Sequence, residues 1–220
     1  MQIGRALKEL GAGGTLLCVD TWLGSLEHWR DSVSSPEWSQ SRLKIRNGEP
    51  TFLQDFWKNI QDNNLLKVVS ICRSTTQCAH AYLSKSGYQA DLIYVDADHS
   101  FSSVRQDLRF ASDLLSESKS SLIVGDDWDW VSVRLAALTF SMRTGKQLMS
   151  AGNTFALVDA GNGTAKGTIV ELGFQRVNRI PAAAKTILIG IRNFIYERAR
   201  KKLPARLVRF LRLLSQNRSK

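Results

Sequence analysis

The sequence predicts an α/β protein with an open, mostly parallel sheet and helices on both faces. Two observations support this. Short apolar runs typical of buried strands alternate with stretches whose apolar residues recur at helical spacing. Two of the strands end directly in acidic residues, at Val95-Asp96 and at Gly125-Asp126. Parallel strands joined by a crossover helix have their carboxyl ends at one edge of the sheet, which is where such folds bind ligands.

The predicted elements alternate along the chain. Strands are expected at 15–19, 67–71, 91–95, 121–124 and 154–158, the last pairing with the segment around 147–149. Helices are expected at 3–10, at 51–60, at 75–85, around 104–115, and from 131 to an end near 145. Thr51 and Gln54 have the spacing of a capping box at the start of the second helix.

Composition divides the chain into three parts. Residues 1–160 form the α/β domain, 161–184 a linker of irregular structure, and 185–220 a basic helical extension. The extension contains eleven Lys and Arg residues and one acid, Glu197, so it accounts for the whole formal net charge of +10. The basic balance therefore gives no reason to expect that the domain itself binds nucleic acid.

The extension has apolar residues at helical spacing, with Lys and Arg between them. This pattern is typical of a helix that lies on an anionic membrane surface. Packing on the domain, or self-association with a second subunit, fits the pattern equally well. The three cysteines lack metal-site spacing and are expected to be buried free thiols, which suits the cytoplasm. We therefore expect a cytoplasmic protein, with peripheral membrane attachment through the extension as a further option.

The two acidic clusters carry the strongest functional signal. Asp96 and Asp98 follow one predicted strand, and Asp126 and Asp127 follow the next. Four carboxylates at neighbouring strand ends repel one another unless a cation lies between them. Mg²⁺ or Mn²⁺ suits an all-oxygen ligand set. The structural alternative is that Asp98 or Ser100 caps the following helix, with Asp126 and Asp127 as loop residues.

Two further residues are candidates for the same edge. His99 adjoins the first acidic cluster and could transfer a proton, or it could hydrogen-bond locally. Asp20 ends the first visible strand, where an acid commonly accepts hydrogen bonds from the hydroxyls of a ribose. A turn cap is the structural alternative for Asp20.

Three segments together resemble the class I S-adenosylmethionine-dependent methyltransferases, in the branch of metal-dependent sugar and macrolide O-methyltransferases. They are Cys18-Val19-Asp20-Thr21-Trp22-Leu23-Gly24, Asp91-Leu92-Ile93-Tyr94-Val95-Asp96-Ala97-Asp98-His99-Ser100 and Ile123-Val124-Gly125-Asp126-Asp127-Trp128. The resemblance spans roughly residues 3–160 and implies a Rossmann-like sheet.

The resemblance also implies roles for single residues. The cofactor S-adenosylmethionine would be bound by Asp20, Trp22, Ser74 and Asp96. A Mg²⁺ or Mn²⁺ ion would be held by Asp96, Asp126 and Asp127. Asp98 or His99 would be the general base. The expected activity is methylation of a hydroxyl on a sugar or a glycosylated small molecule.

The chain departs from the family pattern at its start. Family members begin with a strand and a Gly-rich loop, whereas here a helix comes first and the Gly11–Gly14 turn follows it. Loss of that central strand would expose the flanks of its neighbours. The alternative function is therefore a non-catalytic relative that serves as a binding or membrane-surface subunit. Another reaction on the same fold is a third option, because fold does not fix chemistry.

Overall fold

The computed structural model describes residues 2–11, 13–25, 29 and 44–200, and within 191–200 the side chains of residues 191 and 193 only. Its helices are α1 Gln2–Leu10, α2 Phe52–Asp62, α3 Thr76–Lys85, α4 Phe101–Leu114, α5 Val131–Thr144, α6 Gly163–Glu171 and α7 Arg179–Arg200. Its strands are β1 Leu16–Asp20, β2 Ile45–Arg46, β3 Glu49–Pro50, β4 Val69–Arg73, β5 Leu92–Val95, β6 Leu122–Gly125, β7 Gln147–Ala151, β8 Thr154–Val158 and β9 Gln175–Arg176.

The strands form a Rossmann-like arrangement in two separate sheets and one small hairpin. β1 pairs with β4 in parallel. A five-stranded sheet has the order β5-β6-β8-β7-β9, in which β5 and β6 are parallel and the remaining pairs are antiparallel. β2 and β3 form the hairpin. In the described part of the chain β1 and β5 each pair on one side only.

The five-stranded sheet is covered on both faces. Ile123 and Leu157 are fully buried against α4 and α5 in the largest hydrophobic core. Ala156, next to Leu157 on β8, points the other way and packs with Ala165 and Ile169 of α6. This alternation is what period-two side-chain placement on a strand requires when both faces are buried. The predicted helices on both faces of the sheet are thus confirmed.

A smaller core lies beside β1 and β4. It contains Ile60 from α2, Leu65 and Val69, with Leu16 of β1 partly buried against them. α1 packs on the same cluster, because a Cβ added at Gly4 would lie 3.0 Å from Val69 and 3.3 Å from Leu65. The predicted pairing of 154–158 with the segment around 147–149 is also present, as β8 with β7.

Several local predictions were wrong. The segment 161–184 is not irregular, since it contains α6 and β9, and α7 begins at Arg179 rather than at 185. The capping box does not form: the Thr51 hydroxyl donates to Asp55 Oδ2 at 3.1 Å and no side chain caps α2. The cysteines are free, as predicted, but none of them is buried: Cys18 and Cys72 are partly exposed and Cys78 is exposed. Among the described helices, none is long and apolar enough to cross a bilayer.

Candidate functional site

The carboxyl ends of β5 and β6 bring the two acidic clusters together. Val95 is in register with Gly125, so Asp96 and Asp126 leave their strands side by side. The backbone N–H of Asp126 donates to the carbonyl of Val95 at 3.1 Å, which ties the two strand ends to each other. Asp96, Asp126 and Asp127 therefore lie at one edge of the sheet, as the parallel pairing of these strands predicts.

Asp96, His99 and Asp127 form the tightest group at this edge. Each offers one ligand atom, and these atoms all lie within 4.8 Å of one another. Nε2 of His99 is 2.6 Å from Oδ2 of Asp127. The imidazole stacks on Trp130, with ring centroids 4.7 Å apart. Nδ1 is buried and has no hydrogen-bond partner among the described residues, so Nε2 is the nitrogen that faces the carboxylates.

The turn between β7 and β8 fixes Asp127. Nδ2 of Asn153 donates to Oδ1 of Asp127 at 3.1 Å. The backbone carbonyl of Asn153 accepts from the N–H of Trp128 at 2.8 Å. Its side-chain Oδ1 accepts from the N–H of Asp129 at 2.9 Å. Asp127 itself has φ of 56°, a left-handed conformation that Asp tolerates better than most residues. Asn153 thus positions both the backbone and the carboxylate of the Asp127 loop.

Asp126 is held in a different way from Asp127. Its Oδ2 accepts a hydrogen bond from the Tyr94 hydroxyl at 2.9 Å, and its Oδ1 accepts one from the Asp127 N–H at 2.8 Å. Burial, followed by this hydrogen bond and the nearby carboxylates, raises the pKa of Tyr94, so the hydroxyl keeps its proton. Asp126 lies beside the group of three, with both oxygens engaged.

Negative charge accumulates at Asp96. Burial raises the pKa of its carboxyl, and the charges of Asp126 and Asp127, and to a smaller extent Asp20, raise that pKa further. The nearby His99 acts in the opposite direction. A bound cation would relieve the same repulsion, which makes this edge electrostatically suited to a divalent ion.

Asp98 supports the start of α4. Its Oδ2 accepts from the hydroxyl of Ser100 at 2.8 Å, and Ser100 is the N-cap, accepting from the N–H of Ser103. A hydrogen bond from Ser103, together with those from Ser100, lowers the pKa of Asp98. A carboxylate held in its ionised form in this way is a weak proton acceptor at neutral pH. The geometry therefore fits the structural alternative in which Ser100 caps the helix, and Asp98 supports that cap.

Asp20, Trp22 and Ser74 meet at the ends of β1 and β4. Oδ1 of Asp20 accepts from the N–H of Trp22 at 2.7 Å. The backbone carbonyl of Asp20 accepts from the N–H of Ser74 at 2.9 Å. Trp22 has φ of 55° and is buried, with its ring 5.5 Å from that of Phe56. The charge of Asp20 is the smallest of the effects that raise the pKa of Asp96, so these two carboxylates are within electrostatic reach of each other.

Sequence reasoning missed three residues of the site. Tyr94 lies within a strand and showed no signal beyond its hydroxyl. Trp130 comes two residues after the second acidic cluster, and that proximity could have suggested it. Asn153 belongs to a Gly-Asn turn between two short strands. Only the antiparallel placement of β8 next to β6 brings that turn to the acidic edge.

Residues 1–128 match the family model described as "Methyltransferase domain". This is more than half of the chain, so the protein belongs to that methyltransferase family. No curated protein matches the sequence.

The solved structures to which this chain is similar include methyltransferases. An O-methyltransferase from Bacillus cereus in complex with SAH is 15% identical over 71% of this chain and 79% of that chain, with a TM-score of 0.44. The O-methyltransferase TomG from Streptomyces achromogenes, involved in tomaymycin synthesis and in complex with SAM, is 12% identical over 72% and 79%, with a TM-score of 0.43. CalS11, a TDP-rhamnose 3′-O-methyltransferase of calicheamicin biosynthesis, is 15% identical over 73% and 78%, with a TM-score of 0.43.

Proposed function

We propose that the protein transfers a methyl group from S-adenosylmethionine to a hydroxyl of a sugar or a glycosylated small molecule, at the edge where Asp96, His99 and Asp127 meet. The observation that carries the proposal is the grouping of these three side chains within 4.8 Å, in a chain of the methyltransferase family. An acidic edge with an adjoining imidazole suits a hydroxyl acceptor, because a hydroxyl must lose its proton as it is methylated.

The donor set fits a divalent cation. Asp96 and Asp127 supply carboxylate oxygens, and Mg²⁺ commonly binds through one or two carboxylates while keeping several waters. In this proposal Asp96 and Asp127 hold the ion, and Asp126 adds negative charge beside it. When bound, a divalent cation polarises an oxygen of the substrate and lowers its pKa. Asn153 and His99 orient Asp127 through the contacts at 3.1 Å and 2.6 Å.

His99 is the proton acceptor in this proposal. Its Nε2 faces the carboxylates, while Nδ1 is turned into the protein. In the resting structure Nε2 carries the proton that it donates to Oδ2 of Asp127. To act as the base, the ring would have to release this contact and hold its proton on Nδ1, so that Nε2 could take the proton of the acceptor hydroxyl. Trp130 limits rotation of the ring by stacking on it. Asp98 is assigned to supporting Ser100, the N-cap of α4, because its hydrogen bonds favour the ionised carboxylate in its resting place.

The cofactor would lie between the carboxyl end of β1 and the acidic edge at the ends of β5 and β6. Asp20 would accept hydrogen bonds from the ribose hydroxyls, with Trp22 and Ser74 beside it. S-adenosylmethionine supplies the electrophilic methyl group. The chain would hold the donor and the acceptor oxygen in line, and such positioning provides much of the rate of a transfer between two bound molecules.

The test is calorimetric titration of the purified chain with S-adenosylmethionine, comparing Asp20→Ala with Asp62→Ala as a control. Asp62 is an exposed acid at the end of α2, paired with Lys58. We expect saturable binding that Asp20→Ala weakens by about tenfold or more, as for loss of a charged hydrogen bond, and that Asp62→Ala leaves unchanged. Absence of binding by the wild-type chain would contradict the proposal and favour the non-catalytic relative.

A further inference from the structure

Helix α7 carries an exposed apolar stripe between residues 180 and 191. Ile180, Ile187, Leu188 and Ile191 are 80%, 50%, 66% and 51% exposed. Positions 180, 184, 187 and 191 are three or four residues apart and so share one face of the helix. Ala184, the residue between them, is also exposed. Large aliphatic side chains in a continuous exposed row indicate a surface that binds a partner.

The opposite face of α7 holds it on the domain. Thr186 is fully buried, and Ala182 and Ala183 pack against the main core. Arg179 donates to the carbonyls of Gly145, at 3.3 Å, and Lys146, at 3.0 Å, beyond the end of α5. α7 therefore already packs on the domain through its opposite face. The stripe lies on the side of the helix that faces away from the domain.

α7 runs antiparallel to α5 and passes the start of α5 near Gly190. Its first residue contacts the segment after α5, while a Cβ at Gly190 would lie 3.4 Å from Val131 at the start of α5. Val131 follows Trp130, which stacks on His99. Residues 191–200 extend the helix by about 15 Å at 1.5 Å per residue. The stripe thus lies on the helix that leads to the acidic edge.

The charge of the chain identifies the partner. From Lys185 onward the sequence contains eleven Lys and Arg residues and one acid, while residues 1–184 are neutral overall. Apolar side chains on one helix face combined with a strong positive excess match an anionic lipid surface, where the apolar residues enter the headgroup boundary and the basic residues attract lipid phosphates. A neutral apolar partner would use only the stripe, and an acidic partner without apolar surface would use only the positive charge.

We propose that the stripe of α7, made of Ile180, Ile187, Leu188 and Ile191, docks the protein on an anionic membrane surface. Two terms add in this interaction. Burial of the stripe contributes independently of salt, and the basic residues contribute an attraction that salt screens. Docking needs neither methyl donor nor acceptor, so it stands or fails separately from the proposed reaction.

The experiment is co-sedimentation of the full chain with vesicles of phosphatidylcholine containing phosphatidylglycerol, and with vesicles of phosphatidylcholine alone. We expect binding to the anionic vesicles, at least about tenfold weaker binding to the neutral ones, and weakening of the former as NaCl is raised. The double variant Ile187→Ser with Leu188→Ser removes apolar surface without changing charge. It should bind the anionic vesicles about tenfold or more weakly than the wild type.

The matched control is Val170→Ser with Leu172→Ser. These residues are also apolar and exposed, at 52% and 70%, but lie at the end of α6 outside the stripe. The control should bind like the wild type, and circular dichroism should show both variants folded. Equal binding of the stripe variant and the control would overturn the proposal, and so would equal binding to neutral vesicles. A dimer in solution that the stripe variant converts to a monomer would overturn it as well, by showing that a second copy covers the stripe.

Discussion

The five-stranded sheet and the β1–β4 pair differ in how completely their strands are enclosed. Ile123, Ala156 and Leu157 of the five-stranded sheet are fully buried. Every residue of β1 is at least partly exposed, and β1 pairs on one side only in the described chain. The proposed cation ligands extend from the first region, and Asp20 and Ser74 from the second. Asp127, which follows the inner strand β6, is therefore more firmly supported than the part assigned to the cofactor. Asp96 follows β5, an edge strand that is as exposed as β1.

The greatest change is expected in the free energy of unfolding, when one leucine from each region is replaced by alanine. Leu157→Ala empties a fully buried position in the main core and should cost about 2–5 kcal/mol of unfolding free energy. Leu16→Ala, in the partly exposed β1, should cost less than half as much, because less buried surface is lost. Urea denaturation followed by tryptophan fluorescence measures both. Equal losses would show that the two regions are equally well packed.

A substitution next to the acidic cluster tests how tightly β6 and β8 fit. A Cβ added at Gly125 would lie 2.2 Å from the ring of Phe155, so Gly125→Ala forces that ring to move. Overpacking of this kind should cost about 1–3 kcal/mol. In a double variant with Phe155→Leu, part of the cost of the alanine should disappear. Additive losses in the double variant would mean that the glycine is not required by this contact.

The turn that holds Asp127 extends the comparison to the site itself. Asn153→Ala removes the hydrogen bonds to Asp127 and Asp129 and should weaken Mn²⁺ binding by about tenfold, as for other residues that orient a metal ligand. Asn47→Ala is the control, since Asn47 also lies in a hairpin turn with positive φ, at 51°, but far from the acidic residues in the sequence. Unchanged affinity in the Asn153 variant would show that Asp127 needs no such support.

The last effect depends on pH and concerns α3 and α4. Burial raises the pKa of Asp107, on α4, to about 6, although a hydrogen bond from Thr76 on α3 partly opposes the shift. The folded protein then holds this proton more tightly than the unfolded chain, whose aspartates titrate near pH 4. Stability from this group is complete below about pH 4 and is lost as the pH rises towards about 6. Asp107→Asn should flatten that decline in urea titrations at several pH values, and an unchanged slope would contradict it.

The sequence alone was sufficient to predict the two strands that end at the acidic edge. Apolar runs ended by Asp96 and by Asp126 mark both the strand and its carboxyl end, so fold and candidate ligands were predicted together. α6 was missed because Gly163, Thr164 and Gly167 are poor helix formers. Its stability comes from tertiary burial of Ala165 and Ile169 and from the Asn162 cap, which accepts from the N–H of Ala165 at 3.1 Å.

The side-chain network of the site could not be predicted, for a physical reason. Tyr94 and Asn153 contact Asp126 and Asp127 across 32 and 26 residues of sequence. Such contacts depend on strand order, which apolar periodicity does not reveal. The capping box failed for a local reason. Thr51 has ψ of 6° instead of the extended backbone that an N-cap needs, so its hydroxyl reaches Asp55.

The most direct test of the proposed cation site is a calorimetric titration of the protein with Mn²⁺. Wild type should bind one ion saturably, and Asp127→Asn should bind it at least about tenfold more weakly because a charged ligand is lost. Asp129→Asn, which changes an exposed acid two residues away that lies near Arg134, should bind like wild type. No binding by the wild type, or equal binding by the Asp127 variant, would contradict the claim that Asp96 and Asp127 hold a divalent cation at this edge.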